Sequence, residues 1–565
     1  MTDAISEFTW LDGVVLGSYF VGITFMGLWM ARKVRTSGKY FLGDRKLRWW
    51  IMMGQAFGTG THAEQPVAQA GATFELGFGT IWYQWKNMLI TPFYWLLAPW
   101  YRRSERTTIG EIIEDRYGRN LALMYTVFAI AYFVFNQGAM LKGAGKVISI
   151  AAGEDVISAN GVVVAMTVAF IVYSFFGGLV ASAYTDFVQS FLIIALSFLL
   201  IPSGLAQVGG FVGLRASLPP DFFNLYSEAT GLDAFTIAML SLNGLVGIVA
   251  QPHMLSMAAT GNTERAGRIG QTYGSIVKRL CTIGWALTGL IVAALAVQQG
   301  LQIEDREAAF GIACRHFLAP GFTGLMVACV LAANMSTCSN FMVNTGALFT
   351  RNLYRQYANP SATDRQLLLM GRLSGLILTM SGVVFALTVQ RVLDALQFTE
   401  TIAAFMGIMF LGGILWKRAN RYGAWTATIS AFLVYYALNC QSTHELKLVY
   451  KWEAVPFAWA MLAGFLALIG LSLLTKPEEK DRIERFFNNM RLSTDEEDLP
   501  KGDPKPLAAE RGEDLVLLDL PGWLTKERWR GFPQRYREDL VGFVLAWCAV
   551  GLLILTAWVI VNRGA

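Results

Sequence analysis

Apolar runs of about twenty residues recur from one end of the chain to the other, each long enough to cross a bilayer as a helix. No other feature narrows the fold so far. In hydrocarbon every backbone N–H and C=O must be paired within the protein, so such runs are read as packed helices. Composition agrees: of 565 residues, 54% are hydrophobic and only 15% charged, which no water-soluble globular chain would show. The reading is an all-α integral membrane protein with about fourteen transmembrane helices. The expected spans are 10–30, 49–70, 78–100, 121–150, 160–178, 184–205, 233–258, 270–298, 320–350, 366–388, 394–416, 422–440, 454–475 and 539–562.

Orientation follows from the basic residues of the short loops. Arg32, Lys33, Arg35, Lys39, Arg45, Lys46 and Arg48 follow the first span, and Arg102, Arg103, Arg106, Arg116 and Arg119 follow the third. Arg265 and Arg268, then Arg351, Arg355 and Arg365, then Lys417, Arg418 and Arg421 continue on the same side. The alternate loops are sparse or acidic. The basic face is therefore expected in the cytoplasm and both termini outside, in a multi-pass protein of the cell's inner (plasma) membrane. The opening MTDAISEFTW has no basic n-region or cleavage site, so the first span is expected to be retained. Residues 476–538 are charged and Pro-containing, and read as a flexible cytoplasmic linker in which DRIERFFNNM and WLTKERWRGF lie on the inner membrane surface.

Several functions are disfavoured at once. The six cysteines lie in or beside apolar runs with no CxxC, so they read as packing residues. No GxxxxGK[ST] loop suggests an ATP-driven pump. The net charge of +5 is carried by membrane loops and points to no nucleic acid.

One span is anomalous. In WWIMMGQAFGTGTHAEQPVAQAGATFEL (49–76) the apolar run meets Gly58-Thr59-Gly60 and then Thr61-His62-Ala63-Glu64-Gln65-Pro66. Backbone freed from helical hydrogen bonds at membrane depth must be buried in protein or line a wet cavity, and ionisable groups there are functional candidates. Two readings stand: a broken helix that offers carbonyls to an ion and a solute, or a kinked helix whose polar groups satisfy one another in the bundle.

Four stretches, in order, resemble the sodium/solute symporter family. They are THAEQPVAQAGATFELGF (61–78), FFGGLVASAYTDFVQ (175–189), VLAANMSTCSNFMVNTGALFTRNLY (330–354) and FLGGILWKRANRYGAW (410–425). QPHMLSMAA (251–259) adds a likeness to the proline and organic-acid branches. The resemblance covers roughly residues 10–475 and is greatest to the sodium/sugar cotransporters, with some features of the sodium/proline branch. It implies a five-plus-five inverted repeat of the leucine-transporter type, built from spans two to six and seven to eleven. The domains would then be a first peripheral helix with a basic loop (1–48), the transport core (49–420), peripheral helices (421–475), the linker (476–538) and a last helix (539–565). Span seven carries Gln251-Pro252-His253, where proline removes a donor and leaves a carbonyl free.

The resemblance also implies site residues. Ala333, Ser336 and Thr337 share one helix face and match the family's sodium positions, with carbonyls of Gly58 and Thr61 opposite. A second sodium would use Asp186 with Ser336, Ser339 and Asn340. Asn340 departs from the serine of the two-sodium members, and the alternative for Asp186 is an ion pair with a cytoplasmic basic residue. Solute contacts carried over from the sugar members fall on Gln65, Gln84, Asn87, Asn136, Lys278 and Gln397, where amides offer both donors and acceptors. Gln84 stands for a glutamate and Asn87 for a serine of those members. His62 beside Glu64, Lys142 in span four and His253 after Pro252 depart from the sugar pattern, and His62, Glu64, Lys142 and His253 are candidates for gating or coupling. Lys86 and Lys142 could neutralise an anionic solute or pair with Glu64 and Glu75. For each hydroxyl or amide taken alone, a bond back to its own helix or to a neighbouring one is the competing explanation.

The expectation is a sodium-coupled symporter, not an enzyme, importing a small polar organic solute, sugar-like in preference, by alternating access. Sodium is co-transported and no organic cofactor is called for. The partners are the solute and the bilayer, with the protein a monomer or weak homo-oligomer. The alternatives are a sodium- or proton-coupled carrier of a carboxylate or amino-acid-type solute, and a symporter-like membrane sensor.

Overall fold

The computed structural model describes residues 8–152, 158–226, 230–303, 306–388, 392–447, 449–490, 517–520, 529 and 532–563. Among the described residues the chain is helical throughout and forms no strand. Among the described residues nine stretches are long and apolar enough to cross a membrane, which makes this a multi-pass helical membrane protein. One of them, Ala159–Val208, contains two of the expected spans. The others not counted there are broken, shorter or more polar helices.

In chain order the elements that build the site are α1 (Trp10–Ala31), α2 (Trp49–Gly60), α3 (Glu64–Leu76), α4 (Phe93–Arg103), α5 (Ile109–Tyr117), α6 (Arg119–Ala152) and α7 (Ala159–Phe198). Then come α8 (Ala234–Ile248), α9 (Met254–Ala258), α10 (Glu264–Gln299), α11 (Phe322–Leu348), α12 (Asp364–Thr388) and α13 (Val392–Leu415). The chain closes with α14 (Arg421–Thr443), α15 (Ala454–Leu474), α16 (Lys480–Asn489) and α17 (Arg537–Val561).

Burial sorts these helices. The apolar windows of α10 and α11 are 89% buried, against 17% for α1, 33% for α15 and 28% for α17. The first two form the centre and the last three the rim. Helices at the centre approach closely through small residues, as membrane packing favours: a Cβ at Gly274 of α10 would lie 2.7 Å from the Met53 carbonyl of α2, and one at Gly289 2.3 Å from that of Ala70 in α3.

The stretch expected as two spans, 160–178 and 184–205, is joined with no loop. Gly178 takes φ 52°, ψ −145°, a conformation that only glycine adopts readily, and its α-carbon faces Tyr40 too closely for a side chain. Tyr173 consequently touches Thr185, although a straight helix would hold residues twelve apart by about 18 Å. The chain doubles back there.

The span expected at 78–100 is broken: short helical turns over Phe78–Ile81 and Trp82–Trp85 are followed by non-helical turns from Lys86 to Pro92, and a longer helix forms only over Phe93–Arg103. Of the 476–538 segment, residues 491–516 and most of 521–531 lie outside the described residues. Its α16 buries Ile483, Phe486 and Phe487, the two phenylalanine rings each 6.3 Å from Trp100, so its apolar side faces the bundle.

Candidate functional site

The anomalous span breaks where its residues demand. Pro66 occupies the first turn of α3, where its missing N–H costs nothing, and its ring clashes with a helical carbonyl four residues back, at His62. Helix α2 therefore stops at Gly60, Thr61 is extended (φ −118°, ψ 114°) and α3 starts at Glu64. Partners outside the break complete it. Asn334 of α11, fully buried, accepts from the Ala63 amide at 3.1 Å and donates to the Met140 carbonyl of α6 at 2.7 Å. The Gln65 Oε1 accepts the His62 amide at 3.3 Å, and the Lys278 ammonium donates to the Gly60 carbonyl at the end of α2.

A second interruption separates α8 from α9 around Pro252. The carbonyls released there are taken by two buried tyrosines: Tyr101 donates to Val249 at 3.0 Å and Tyr125 to Ala250 at 2.7 Å. His253 follows inside an aromatic cluster, its ring centroid 6.2 Å from Tyr132, 6.4 Å from Phe133 and 5.3 Å from Phe341.

Beside the first break, α11 brings its hydroxyls to the end of α2. Ser336 donates to the Gly58 carbonyl at 3.0 Å and lies equally near Ala333 O. Thr337 reaches Thr59 O at 3.1 Å, Ala333 O at 3.3 Å and Gly58 O at 3.4 Å. Four of the five expected positions thus converge: Gly58, Ala333, Ser336 and Thr337. The fifth, Thr61, has a buried hydroxyl without a partner, and its amide donates to Gly58 O at 3.1 Å. The carbonyl of Thr59, not expected from the sequence, joins the cluster. Neutral oxygens of this kind are what a small hard cation requires.

Asp186 of α7 is fully buried directly behind this cluster. Its Oδ2 accepts from Thr59 at 3.2 Å and from Ser182 at 3.4 Å, while Oδ1 has no partner. No ion pair to it exists among the described residues. Ser336 and Ser339 are equally buried, but the Asn340 Oδ1 is bound by Asn344 at 2.6 Å, and no hydrogen bond joins it to Asp186.

The two breaks face a single cavity of about 760 Å³. It is lined at depth by Gly60, His62, Glu64, Gln65, Gln84, Asn87, Asn136, His253 and Lys278, and reaches Tyr83, Arg306 and Lys451 at one end of the bundle. Asn136 donates to Thr399 at 3.3 Å, and its carbonyl oxygen and that of Asn87 are buried without partners. Lys142 is half-buried on α6 and does not line the cavity. The side chain of Gln397 lies outside the described residues. His62 meets Glu64 at 3.0 Å. Lys86 pairs at 2.7 Å with Glu400, and Glu75 pairs with Arg306 at 2.5 Å, so neither carboxylate expected for Lys86 is its partner.

A family model described as the sodium:solute symporter family matches residues 40–430. The chain belongs to that family. The osmoregulated proline transporter OpuE of Bacillus subtilis (strain 168) is 27% identical over 491 residues, covering 84% of this chain and 96% of that protein. The sodium/glucose cotransporter 2 of Rattus norvegicus is 26% identical over 567 residues, covering 86% and 82%. The solved structure of a Na+-coupled sialic acid symporter, substrate-bound and outward-open, matches with a TM-score of 0.71 at 16% identity, over 84% of this chain and 100% of that one. The fold is shared with that symporter. The protein is accordingly a transporter and not an enzyme.

Sequence reasoning missed three parts of this symporter's site. Asn334 precedes the hydroxyl pair by two residues and resembles any helix-interior asparagine until α6 and the break are placed around it. Arg279 lines the cavity next to Lys278, and its only signal was a second charge beside that lysine in a largely apolar run. Glu400 sits in a span with no other carboxylate nearby except Asp394, a pattern that marks functional residues in membranes.

Proposed function

We propose that this symporter couples inward sodium movement to the import of a small polar organic solute by alternating access. The observation that carries this reading is the convergence of the Ser336 and Thr337 hydroxyls on the Gly58 and Thr59 carbonyls. There a cation would bind α2 to α11, bracing the broken helix that walls the solute cavity. Because coupling is reciprocal, solute must raise sodium affinity by the factor by which sodium raises solute affinity. Asp186, one residue layer behind through Thr59, is the candidate for a second ion with Ser336 and Ser339.

Fourteen crossings, with an inverted repeat over spans two to six and seven to eleven, agree with both repeats opening on an interrupted helix and with the burial of α10 and α11. With the Arg- and Lys-rich loops inside, the end of the cavity near Arg306 and Lys451 faces outward. The solute contacts then fall on Gln65, Gln84, Asn87, Asn136 and Lys278. A carboxylate-bearing solute is the second reading, favoured by the cationic residues at depth.

Uptake of labelled sugars, amino acids and organic acids into proteoliposomes, with an inward sodium gradient and then with a proton gradient alone, tests the proposal. Accumulation that needs sodium supports it. Accumulation driven by a proton gradient and indifferent to sodium refutes sodium coupling.

A further inference from the structure

The cavity holds an unbalanced set of charges. At depth it presents three cations, Lys86, Lys278 and Arg279, and two carboxylates, Glu64 and Glu400. Both carboxylates are engaged, Glu400 by Lys86 at 2.7 Å and Glu64 by His62 at 3.0 Å. Lys278 and Arg279, consecutive on α10, have no carboxylate within ion-pair distance among the described residues. Each hydrogen-bonds a backbone carbonyl, Lys278 that of Gly60 and Arg279 that of Gln84 at 2.9 Å from Nη1, while Glu400, and for Lys278 also Glu64, act on them from beyond ion-pair distance. They are respectively 8% and 3% exposed, and the Arg279 Nε is buried without a partner.

Buried cations are ordinarily paired, because removal from water is repaid only by a nearby anion and a full set of hydrogen bonds. A guanidinium retains further N–H donors when one is held by a carbonyl, and it binds carboxylates with charge-assisted hydrogen bonds. The cavity wall thus carries one more cation than anion at depth, beside a guanidinium that no carboxylate holds.

We propose that the solute of this symporter carries a carboxylate, and that Arg279, supported by the charge of Lys278, is the residue that selects for it. The amides of Gln65, Asn87 and Asn136 then hold the rest of the molecule, and a carboxylate replaced by an alcohol or amide leaves Arg279 buried and unpaired. This rests on the reading of the cavity as the solute site.

Matched pairs test it: D-glucuronate against D-glucose, L-lactate against L-lactamide, and L-proline against L-prolinamide. Each is assayed for sodium-dependent thermal stabilisation of the purified full-length protein and for uptake into proteoliposomes. In at least one pair the carboxylate member should act at a concentration tenfold or more below its partner. Arg279→Gln should erase that preference, Arg279→Lys should restore part of it, and stabilisation by sodium alone should persist in both. A glucose, lactamide or prolinamide preference overturns the proposal, as does an Arg279→Gln variant that keeps the carboxylate preference. So does a panel in which no carboxylate stabilises or enters. Should Arg279→Gln not fold, the pairwise preference of the unaltered protein decides alone. Sodium-dependent uptake of a neutral solute would sink this inference while leaving sodium symport standing, and the absence of any sodium effect would sink symport itself.

Discussion

Asn334 is the most demanding test of how the break is held. Its side chain makes two hydrogen bonds to two different helices, accepting from the Ala63 amide at 3.1 Å and donating to the Met140 carbonyl at 2.7 Å. Asn334→Ala removes both. Side-chain bonds between membrane helices average about 0.6 kcal/mol each, so the pair sets a floor of about 1 kcal/mol. The Ala63 amide stands at the start of α3, where no helical carbonyl can replace the lost acceptor. An orphaned buried donor costs about 1–3 kcal/mol, which raises the ceiling to about 3 kcal/mol if water does not reach it. Met140 loses less, since its carbonyl lies within a helix.

A loss of about 1–3 kcal/mol corresponds to roughly a five- to hundredfold change in the population of the ordered break. The expected result is a lower melting temperature of the detergent-purified protein together with a rise of that order in the sodium concentration for half-maximal uptake. Both effects are needed, because the same break supplies the carbonyls that Ser336 and Thr337 touch. A melting temperature and a sodium dependence both unchanged in Asn334→Ala would refute the claim that Asn334 positions the break.

Ser336→Ala and Thr337→Ala should each raise the half-maximal sodium concentration without changing solute selectivity, as sodium titrations of uptake would register; unchanged titrations in both would remove the assigned ion site. Asp186→Asn should lower the sodium-to-solute ratio measured by parallel isotope fluxes, and an unaltered ratio in a well-expressed variant would leave Asp186 a structural acceptor for Thr59 and Ser182. At Glu478, burial pushes the carboxyl up, but bonds to the side chain and backbone of Arg421 and the charge of Arg482 outweigh it, leaving the group below its ordinary 4.5. A depressed carboxyl contributes stability above its ordinary value that is lost as pH falls through the depressed one. Because Arg421 is 44% exposed, Glu478→Gln should cost only about 1 kcal/mol, and its melting temperature should converge with that of the unaltered protein in acid; a constant gap at all pH values would deny the ion pair its role.

How much of this was readable beforehand depended on the range of the interaction. Membrane helices announce themselves locally, since a long apolar run has few other ways to satisfy its backbone. The break at 61–63 was equally local: Pro66 and the glycines before it settle where α2 stops, whatever packs outside. The doubled-back turn at Gly178 was less visible, because nothing in a continuous apolar stretch says that one glycine will take a positive φ. Likewise, Phe93–Arg103 came out shorter than its apolar run, since hydropathy records burial and is blind to the turns between Lys86 and Pro92.

Within the site the division is sharper. A helix carries Ala333, Ser336 and Thr337 on one face by its own period, so their grouping was legible; that the carbonyl of Thr59 would meet them was not, because it depends on how α2 ends against α11. Charge pairing shows the same limit more severely. Lys86 had three eligible carboxylates, Glu64, Glu75 and Glu400, and sequence distance favoured the first two. The fold instead gives Glu64 to His62, Glu75 to Arg306 and Glu400 to Lys86. Once those pairs are made, what is left over becomes informative. Lys278 and Arg279 stand out only after every carboxylate within reach has been assigned, so the feature that bears on specificity is a residue of the whole arrangement and belongs to no motif. The same logic explains why amides matched position by position to sugar carriers were a weak guide to the solute. An amide accepts nearly any polar partner, whereas a buried guanidinium without an anion rejects most of them.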